Sequence, residues 1–190
     1  MSISSFFKSI SPSSFKGSLG ETKVALSLKW GLNNNYHIFN DVLLPTKNGT
    51  TQIDHIIVSR YGVFAVETKN MTGWIFGSKG QKTWTQVIYK KKFSFTNPLR
   101  QNYKHLMTLM RLLSLRENQM HSLIVFVGNC VFKTEMPLNV TYGRQASRFV
   151  KSKSEQVLSY EKVTKIIQTI NEAQLKKSWG NRIKHIDQFN

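Results

Sequence analysis

The sequence predicts an α/β domain in which a mixed β-sheet is flanked by helices. Helical periodicity occurs towards both ends of the chain, and short strands separated by turn residues fill the middle. One continuous apolar strand follows the second helix, as is typical of a sheet covered on both faces. The order α-β-β-β-β-β-α-β-(β)-α therefore indicates a mixed sheet packed between helices.

The first helix is predicted from Leu19 to Gly31. Glu21, Val24 and Leu28 have the spacing of residues that share one helical face. An acid on an apolar face is either a first-turn acid that suits the helix dipole or a functional residue. The spacing alone leaves both interpretations open.

Two further helices are predicted from their capping residues. In residues 96–117, Asn97 suits the N-cap and Pro98 the first helical position. In residues 159–174, Ser159 is the candidate N-cap of a helix with an apolar stripe.

The predicted strands are separated by turn residues, of which Asn48-Gly49 and Tyr61-Gly62 are the clearest. The strands before the second helix are expected to form an antiparallel meander. The expected strands are residues 36–45, 52–59, 63–70, 73–77 and 83–93, then 121–128 and 138–143.

The charge balance indicates a polyanionic partner. Lys and Arg number 27 against 10 Asp and Glu, which gives a formal net charge of +17. Nucleic acid is the commonest polyanion, and such an excess is its electrostatic footprint. A basic protein that is merely soluble is the alternative.

The length of 190 residues suits one domain, expected at residues 16–175. A Ser-rich, poorly ordered lead-in at 1–15 and a basic tail at 176–190 are expected around it.

Cys130 has no partner for an internal disulfide and is interpreted as a buried structural thiol. No stretch approaches the ~20 apolar residues of a membrane span, and the N-terminal apolar runs are too short for a signal peptide. We therefore expect a cytoplasmic protein without a transmembrane segment.

The stretch TQIDHIIVSRYGVFAVETKN, residues 51–70, carries charged residues inside apolar strands. Because side chains alternate along a strand, Glu67 and Lys69 share a face at the far end of the second strand of this hairpin. A turn at Tyr61-Gly62 brings Asp54 close to both across the ladder. The hairpin thus predicts two carboxylates and one ammonium at the mouth of a sheet.

Two close carboxylates stay ionised only if a cation compensates them. Lys69 is one such cation, and Mg²⁺, which prefers oxygen ligands, is another. A metal polarises phosphate and lowers the pKa of a bound water, while a lysine orients that water or offsets developing charge. This apparatus indicates phosphodiester hydrolysis. The alternative, a structural salt bridge from Lys69 to Asp54 or Glu67, is less favoured in this strand-turn-strand context.

Several ordered motifs resemble the nuclease-related domain (NERD) family. They are GSLGETKVALSL, NDVLLPTKNGTTQIDHIIVSRYGVFAVETKN, GWIFG, TWTQ and NPLRQNYKHL, all within residues 16–115. That family is placed in the PD-(D/E)xK nuclease superfamily. The resemblance implies a restriction-endonuclease-like fold and an Mg²⁺- or Mn²⁺-dependent nuclease acting on DNA.

The resemblance also implies roles for four charged residues. Asp54 in QIDH matches the acid that ligates metal, and Glu67 and Lys69 in VETKN match the E-x-K pair. Glu21 in LGE matches the acid on the first core helix. Asp54, Glu67 and Glu21 are thus the expected metal ligands, and all four are expected to be catalytic.

The second helix adds a further motif through the same resemblance. Gln101 in RQNYKH matches the catalytic glutamine of the Q-x-x-x-Y/H motif, with His105 at its second position. One departure is that Ile53 precedes Asp54, where the superfamily often has proline; no ligand is lost. His55 alternates away from Asp54, so a core or supporting role is favoured over metal ligation.

Nucleic-acid contacts are expected outside the acid cluster. The segment YKKKF interleaves aromatic residues with lysines and could grip a phosphate backbone, with a solvated hairpin end as the alternative. Trp74 and Trp84 could stack on bases, although packing is the more favoured interpretation. The candidate contacts are Lys90, Lys91, Lys92, Arg100 and His105.

Other functions remain open or lack support. A non-catalytic nucleic-acid-binding module of the same fold and an RNA-processing nuclease are the alternatives, and a homodimer would suit cleavage of two strands. The sequence has no Gly-rich phosphate loop, zinc-ligand spacing or G-x-S-x-G, so NTPase, zinc-site and serine-hydrolase functions are not supported.

Overall fold

The computed structural model describes residues 12–175, with side chains from residue 17 onward. The tail predicted at 176–190 and most of the lead-in predicted at 1–15 lie outside this range. Within it, no helix combines the length and the apolar character needed to cross a bilayer.

Helices and strands are mixed along the described residues, as the predicted α/β class requires. The helices are α1 (Pro12–Gly31), α2 (Pro98–Leu113), α3 (Ala146–Lys151) and α4 (Tyr160–Ala173). The strands are β1 (His37–Thr46), β2 (Gly49–Ser59), β3 (Gly62–Asn70), β4 (Gly73–Phe76), β5 (Thr83–Ile88), β6 (Lys91–Thr96), β7 (Met120–Val127), β8 (Cys130–Phe132) and β9 (Val140–Tyr142). Single 3₁₀ turns occupy Glu117–Gln119 and Gly143–Gln145.

Both predicted N-caps are confirmed, whereas the predicted start of the first helix is wrong. The Asn97 side chain accepts from the Leu99 amide, and the Ser159 hydroxyl accepts from the Lys162 amide. Helix α1 begins at Pro12 rather than Leu19, because proline suits a first helical turn, where its missing amide is not needed. The Ser-rich residues after Pro12 lack the apolar periodicity on which the prediction relied.

The strands form two mixed sheets rather than one. The main sheet has the order β1-β2-β3-β7-β9, with β1–β3 antiparallel and β3, β7 and β9 parallel. The second sheet has the order β6-β5-β4-β8. The expected single meander is therefore wrong after β3, whose free edge pairs with β7 and so leaves no place for β4. The class itself, a mixed α/β fold consistent with a restriction-endonuclease-like core, is confirmed.

The segment predicted as one strand at residues 83–93 is a hairpin, β5–β6. The chain turns at Tyr89, which has a φ of 53° and is almost fully exposed. Turns with positive φ are usually recognised in a sequence by pairs such as Asn-Gly. Tyr89 gives no such signal, so residues 83–93 were wrongly predicted as one strand.

Strand β8 and helix α3 were also not predicted. Cys130 on β8 is buried, as expected, and burial raises the pKa of its thiol.

Helices cover both faces of the main sheet. On one face, α2 and α4 pack against a cluster that includes Ile56, Val63 and Ala65. On the other, α1 and α3 pack against a cluster that includes Ile57 and Phe64. Alternation along β3 therefore directs Glu67 and Lys69 towards the α2 side.

Helix α2 is fixed over β3 by a buried amide. The Asn102 side chain donates to the Ala65 carbonyl at 2.9 Å and to the Ser122 hydroxyl at 2.8 Å, which ties the helix to β3 and β7 together. This anchor lies one residue from Gln101, so it sets the position of the polar face of α2 against the end of β3.

Helix α1 approaches the end of β3 closely at Gly20. A Cβ on Gly20 would lie 2.6 Å from Asn70 Cβ, whereas one on Gly17 would meet its nearest atom at 3.8 Å. Glycine at position 20 thus lets α1, and Glu21 with it, sit against the strand end.

Gly20→Ala should therefore destabilise the fold, by roughly 1–3 kcal/mol for an overpacked contact. The matched change Gly17→Ala should stabilise it by about 0.5–1 kcal/mol, because alanine is the better helix former and has space there. Urea unfolding of both variants measures the difference. Equal free energies of unfolding would show that the close approach of α1 at Gly20 is not a real constraint.

Candidate active site

The two acids of the hairpin meet where the β2–β3 ladder ends. His55 opposite Val66 is the last pair on this side, and the next pair would place Asp54 opposite Glu67. Instead of a backbone carbonyl, Asp54 Oδ2 accepts the Thr68 amide at 2.7 Å. The predicted proximity of the two carboxylates is therefore present, at the open end of the hairpin.

Lys69 is held between Glu67 and the second helix. Its Nζ lies 2.7 Å from Glu67 Oε1 and donates to Gln101 Oε1 at 3.0 Å. Its side chain is 23% exposed, against 4% for Glu67, so the ammonium faces the opening of the cluster. The salt bridge anticipated as an alternative does exist, to Glu67, and it is oriented by Gln101.

His105 is buried against the same acid. Its Nε2 lies 3.3 Å from Glu67 Oε2, without the alignment of a hydrogen bond, and its Nδ1 lies 2.8 Å from Thr51 Oγ1. We expected this histidine among the residues that contact nucleic acid. Its 3% exposure instead places it behind the acid cluster, where it supports Glu67.

The two carboxylates differ in their affinity for a proton. Burial, the neighbouring Glu67 charge and, to a smaller extent, Glu21 raise the pKa of Asp54 well above its usual value. Burial also acts to raise the pKa of Glu67, but His105 and Lys69 outweigh it and the pKa is lowered. Glu67 is therefore the more acidic of the two carboxyls, whereas the Thr68 amide and the Lys69 charge compensate ionised Asp54 only in part.

The donor set fits a cation held by two acids. Among residues 17–175, no three His, Cys, Asp or Glu side chains are grouped so as to hold a metal ion. Asp54 and Glu67 remain as a pair, and Glu67 Oε2 is buried without a hydrogen bond. Mg²⁺ is commonly bound by one or two carboxylates with water and substrate phosphate, so a pair of acids suits it. Glu21 is close enough to act electrostatically on Asp54.

The other predicted residues lie around this cluster. His55 is buried, its Nδ1 lies 2.8 Å from Asn40 Oδ1, and burial lowers its pKa to about 4, so it is a neutral core residue. Arg100 is exposed and donates to the Gly80 carbonyl at 3.1 Å. The lysines predicted to contact nucleic acid are exposed: Lys90 lies in the turn between β5 and β6, and Lys91 and Lys92 begin β6.

The β5–β6 hairpin ends close to the exit of β3. Gln86 Nε2 on β5 donates to the Thr72 carbonyl at 2.7 Å, and Trp74 pairs with Val87. Thr72 follows Lys69 closely in the chain, so the lysine-bearing turn belongs to the same end of the molecule as the acids.

Two residues that support the site were not predicted. Asn102 anchors α2, and Thr51 fixes the ring of His105. Helical periodicity could have revealed the burial of both Asn102 and His105, because they continue the stripe of Leu109 and Leu113. Thr51 carries no comparable signal, since its contact spans two elements that are distant in sequence.

The fold and the cluster define a mixed α/β domain with a restriction-endonuclease-like core and an Asp, Glu-x-Lys arrangement at its strand ends. The family model of the nuclease-related domain matches residues 16–127, and the chain belongs to this family. An uncharacterized protein of Bacillus anthracis is 37% identical over 174 residues, which cover 90% of this chain and 74% of that protein. No solved structure matches the chain.

Asp54→Asn should make the metal-free protein more stable at neutral pH. Asparagine keeps an oxygen for the Thr68 amide and removes the charge beside Glu67. The Asp54 carboxyl binds a proton more readily in the folded wild type than in the unfolded chain. Ionised Asp54 therefore lowers the stability of the wild type above its raised pKa, and this loss of stability fades as pH falls towards about 4. A gain of about 1 kcal/mol would raise Tm by roughly 2–4 °C in a domain of this size.

Thermal melts in EDTA at pH 7.5 and at pH 4 measure this difference. Glu155→Gln, an exposed acid in a loop, controls for the change in net charge. A gain that is equal in the two variants, or one that does not shrink at low pH, would contradict the repulsion between Asp54 and Glu67.

Proposed function

We propose that this protein is a metal-dependent nuclease that hydrolyses phosphodiester bonds in DNA. The observation that supports it best is the Lys69 ammonium, held by Glu67 and Gln101 at the open end of a hairpin that also carries Asp54. Membership of the nuclease-related domain family and the net charge of +17 agree with a nucleic-acid substrate.

Each side chain of the cluster has a distinct role in this proposal. Asp54 and Glu67 would hold Mg²⁺ or Mn²⁺, and Glu21 would add negative charge nearby. The ion, when bound, supplies Lewis acidity towards phosphate and acidity for an attacking water. His105 keeps Glu67 ionised.

Lys69 carries the chemistry that is contributed by the chain alone. Its Nζ is fixed by two acceptors and still partly exposed, so a third N–H remains to orient water or to contact a phosphate oxygen. A positioned donor of this kind stabilises the charge that develops on the phosphate oxygens. Gln101 is a positioning residue, because it acts through Lys69.

One observation favours the second candidate, a nucleic-acid-binding module without catalysis. Glu67 already has a cation in Lys69, and the described residues contain no three-acid group for a metal. A module of this kind would bind DNA in EDTA as well as in Mg²⁺ and would not nick it. The RNA-processing alternative keeps the same residues and changes only the substrate.

Lys69→Ala should reduce Mg²⁺-dependent nicking of supercoiled plasmid by about 10²–10⁴-fold, because a positioned charge-stabilising group is lost. DNA binding should persist. Nicking by the wild type should stop in EDTA. The control is Lys104→Ala, which removes an exposed lysine from the same helix that carries Gln101. Nicking at the wild-type rate by Lys69→Ala would refute the catalytic role of Lys69. If neither the wild type nor the two variants nick the plasmid, the binding module without catalysis is favoured.

Replacing Lys90, Lys91 and Lys92 by alanine should reduce the salt dependence of duplex binding. The slope of log K against log salt should fall in magnitude by roughly 0.9 for each lysine that neutralises a phosphate. The matched control replaces three exposed helical lysines, Lys29, Lys151 and Lys165, and so removes the same charge. If the two triple variants have equal slopes, the β5–β6 turn makes no specific contact with the backbone.

A further inference from the structure

The outer face of the second sheet presents an exposed tryptophan. Trp74 on β4 is 50% exposed, and its neighbours across the strands are Val87 on β5 and Val131 on β8, the latter also 50% exposed. Alternation along β4 turns the next residue, Ile75, inward, where it is buried against the main sheet. The sheet therefore has one packed face and one open face, on which Trp74 lies beside Val87 and Val131.

Basic side chains flank this open face. Lys92 on the edge strand β6 lies opposite Val87, and Lys133 Nζ lies 4.5 Å from the centre of the Trp74 ring. Both lysines are exposed. The four strands of this sheet contain no Asp or Glu. An aromatic ring with cations on both sides is the composition of a surface that stacks bases and holds their backbone.

We propose that this face binds single-stranded DNA, with a base stacked on Trp74 and phosphates contacted by Lys92 and Lys133. Stacking on a protein ring requires a base whose π-face is free, which a paired duplex does not offer along its length. Lys133 is a long exposed side chain, and it moves from the ring to a phosphate when a base takes its place. This inference rests on the proposed nuclease function and adds to it the strandedness of the substrate.

The position of Trp74 relative to the acid cluster agrees with this assignment. Gly73 begins β4 shortly after Lys69, and the intervening Met71 donates its amide to the Val127 carbonyl. Even a fully extended chain spans at most about 17 Å from Lys69 to Trp74. A single strand stacked on Trp74 is thus close enough to continue to the acids.

The test is binding of fluorescein-labelled oligo(dT), and of a duplex of the same length, measured by anisotropy in EDTA so that no cleavage is required. Trp74→Ala should weaken oligo(dT) binding by about 5–150-fold, the equivalent of losing 1–3 kcal/mol of stacking on one base. Its duplex affinity should stay within about twofold of wild type. Trp74→Phe should recover most of the single-strand affinity. Trp30→Ala, which removes a tryptophan that is 80% exposed on α1, is the control.

Three outcomes would overturn the inference. Trp74→Ala and Trp30→Ala could affect oligo(dT) equally, or Trp74→Ala could weaken duplex binding as much as single-strand binding. Sedimentation could also show a wild-type dimer that Trp74→Ala dissociates, in which case a second copy of the chain covers this face. Plasmid nicking reports on the nuclease function separately. Specific loss of oligo(dT) binding without any wild-type nicking would support this site and reject the nuclease.

Discussion

The burial of Glu67 beside Asp54 is the constraint on which the rest of the site depends. Two carboxylates cannot both stay ionised in a partly dry strand end without added positive charge. Lys69 and His105 compensate Glu67, and Gln101 and Thr51 hold those two side chains in place. Asp54 has less support: its pKa is raised, and its carboxylate accepts one backbone hydrogen bond, from the Thr68 amide. A buried carboxyl with a strongly raised pKa lowers stability when it is ionised, and such groups cluster at functional sites.

Specific close contacts add to core packing in placing helices α1 and α2 around the acids. Asn102 ties α2 to two parallel strands, and Gly20 allows α1 to lie against the end of β3. Asn102 therefore helps to position its neighbour Gln101, and Gly20 helps to position its neighbour Glu21. Precise placement of this kind is what the proposed charge-stabilising group needs, since a displacement of about 1 Å can cost about 10²-fold in rate.

The sequence predicts those parts of the structure that depend on local periodicity. Alternation along a strand was enough to place Asp54, Glu67 and Lys69 together, and capping residues were enough to begin α2 and α4. The break after β3 was not predictable, because it depends on β7, which is far away in sequence. Neither was the β5–β6 turn, since Tyr89 adopts a positive φ without glycine. The burial of His105 follows from its place on the apolar stripe of α2, which the motif does not indicate.

The same pairing that breaks the meander also joins the acid cluster to the second sheet. Because β7 occupies the edge of β3, the chain must leave the main sheet at once, and it does so through Gly73, which has a φ of 81°. Strand β4 then pairs with β8, which continues β7. Strand β3, which carries Glu67 and Lys69, is thus followed directly by β4, which carries Trp74. Both strands pair with the same stretch of chain, β7 and β8. The position of the second sheet relative to the acids is consequently set by backbone pairing.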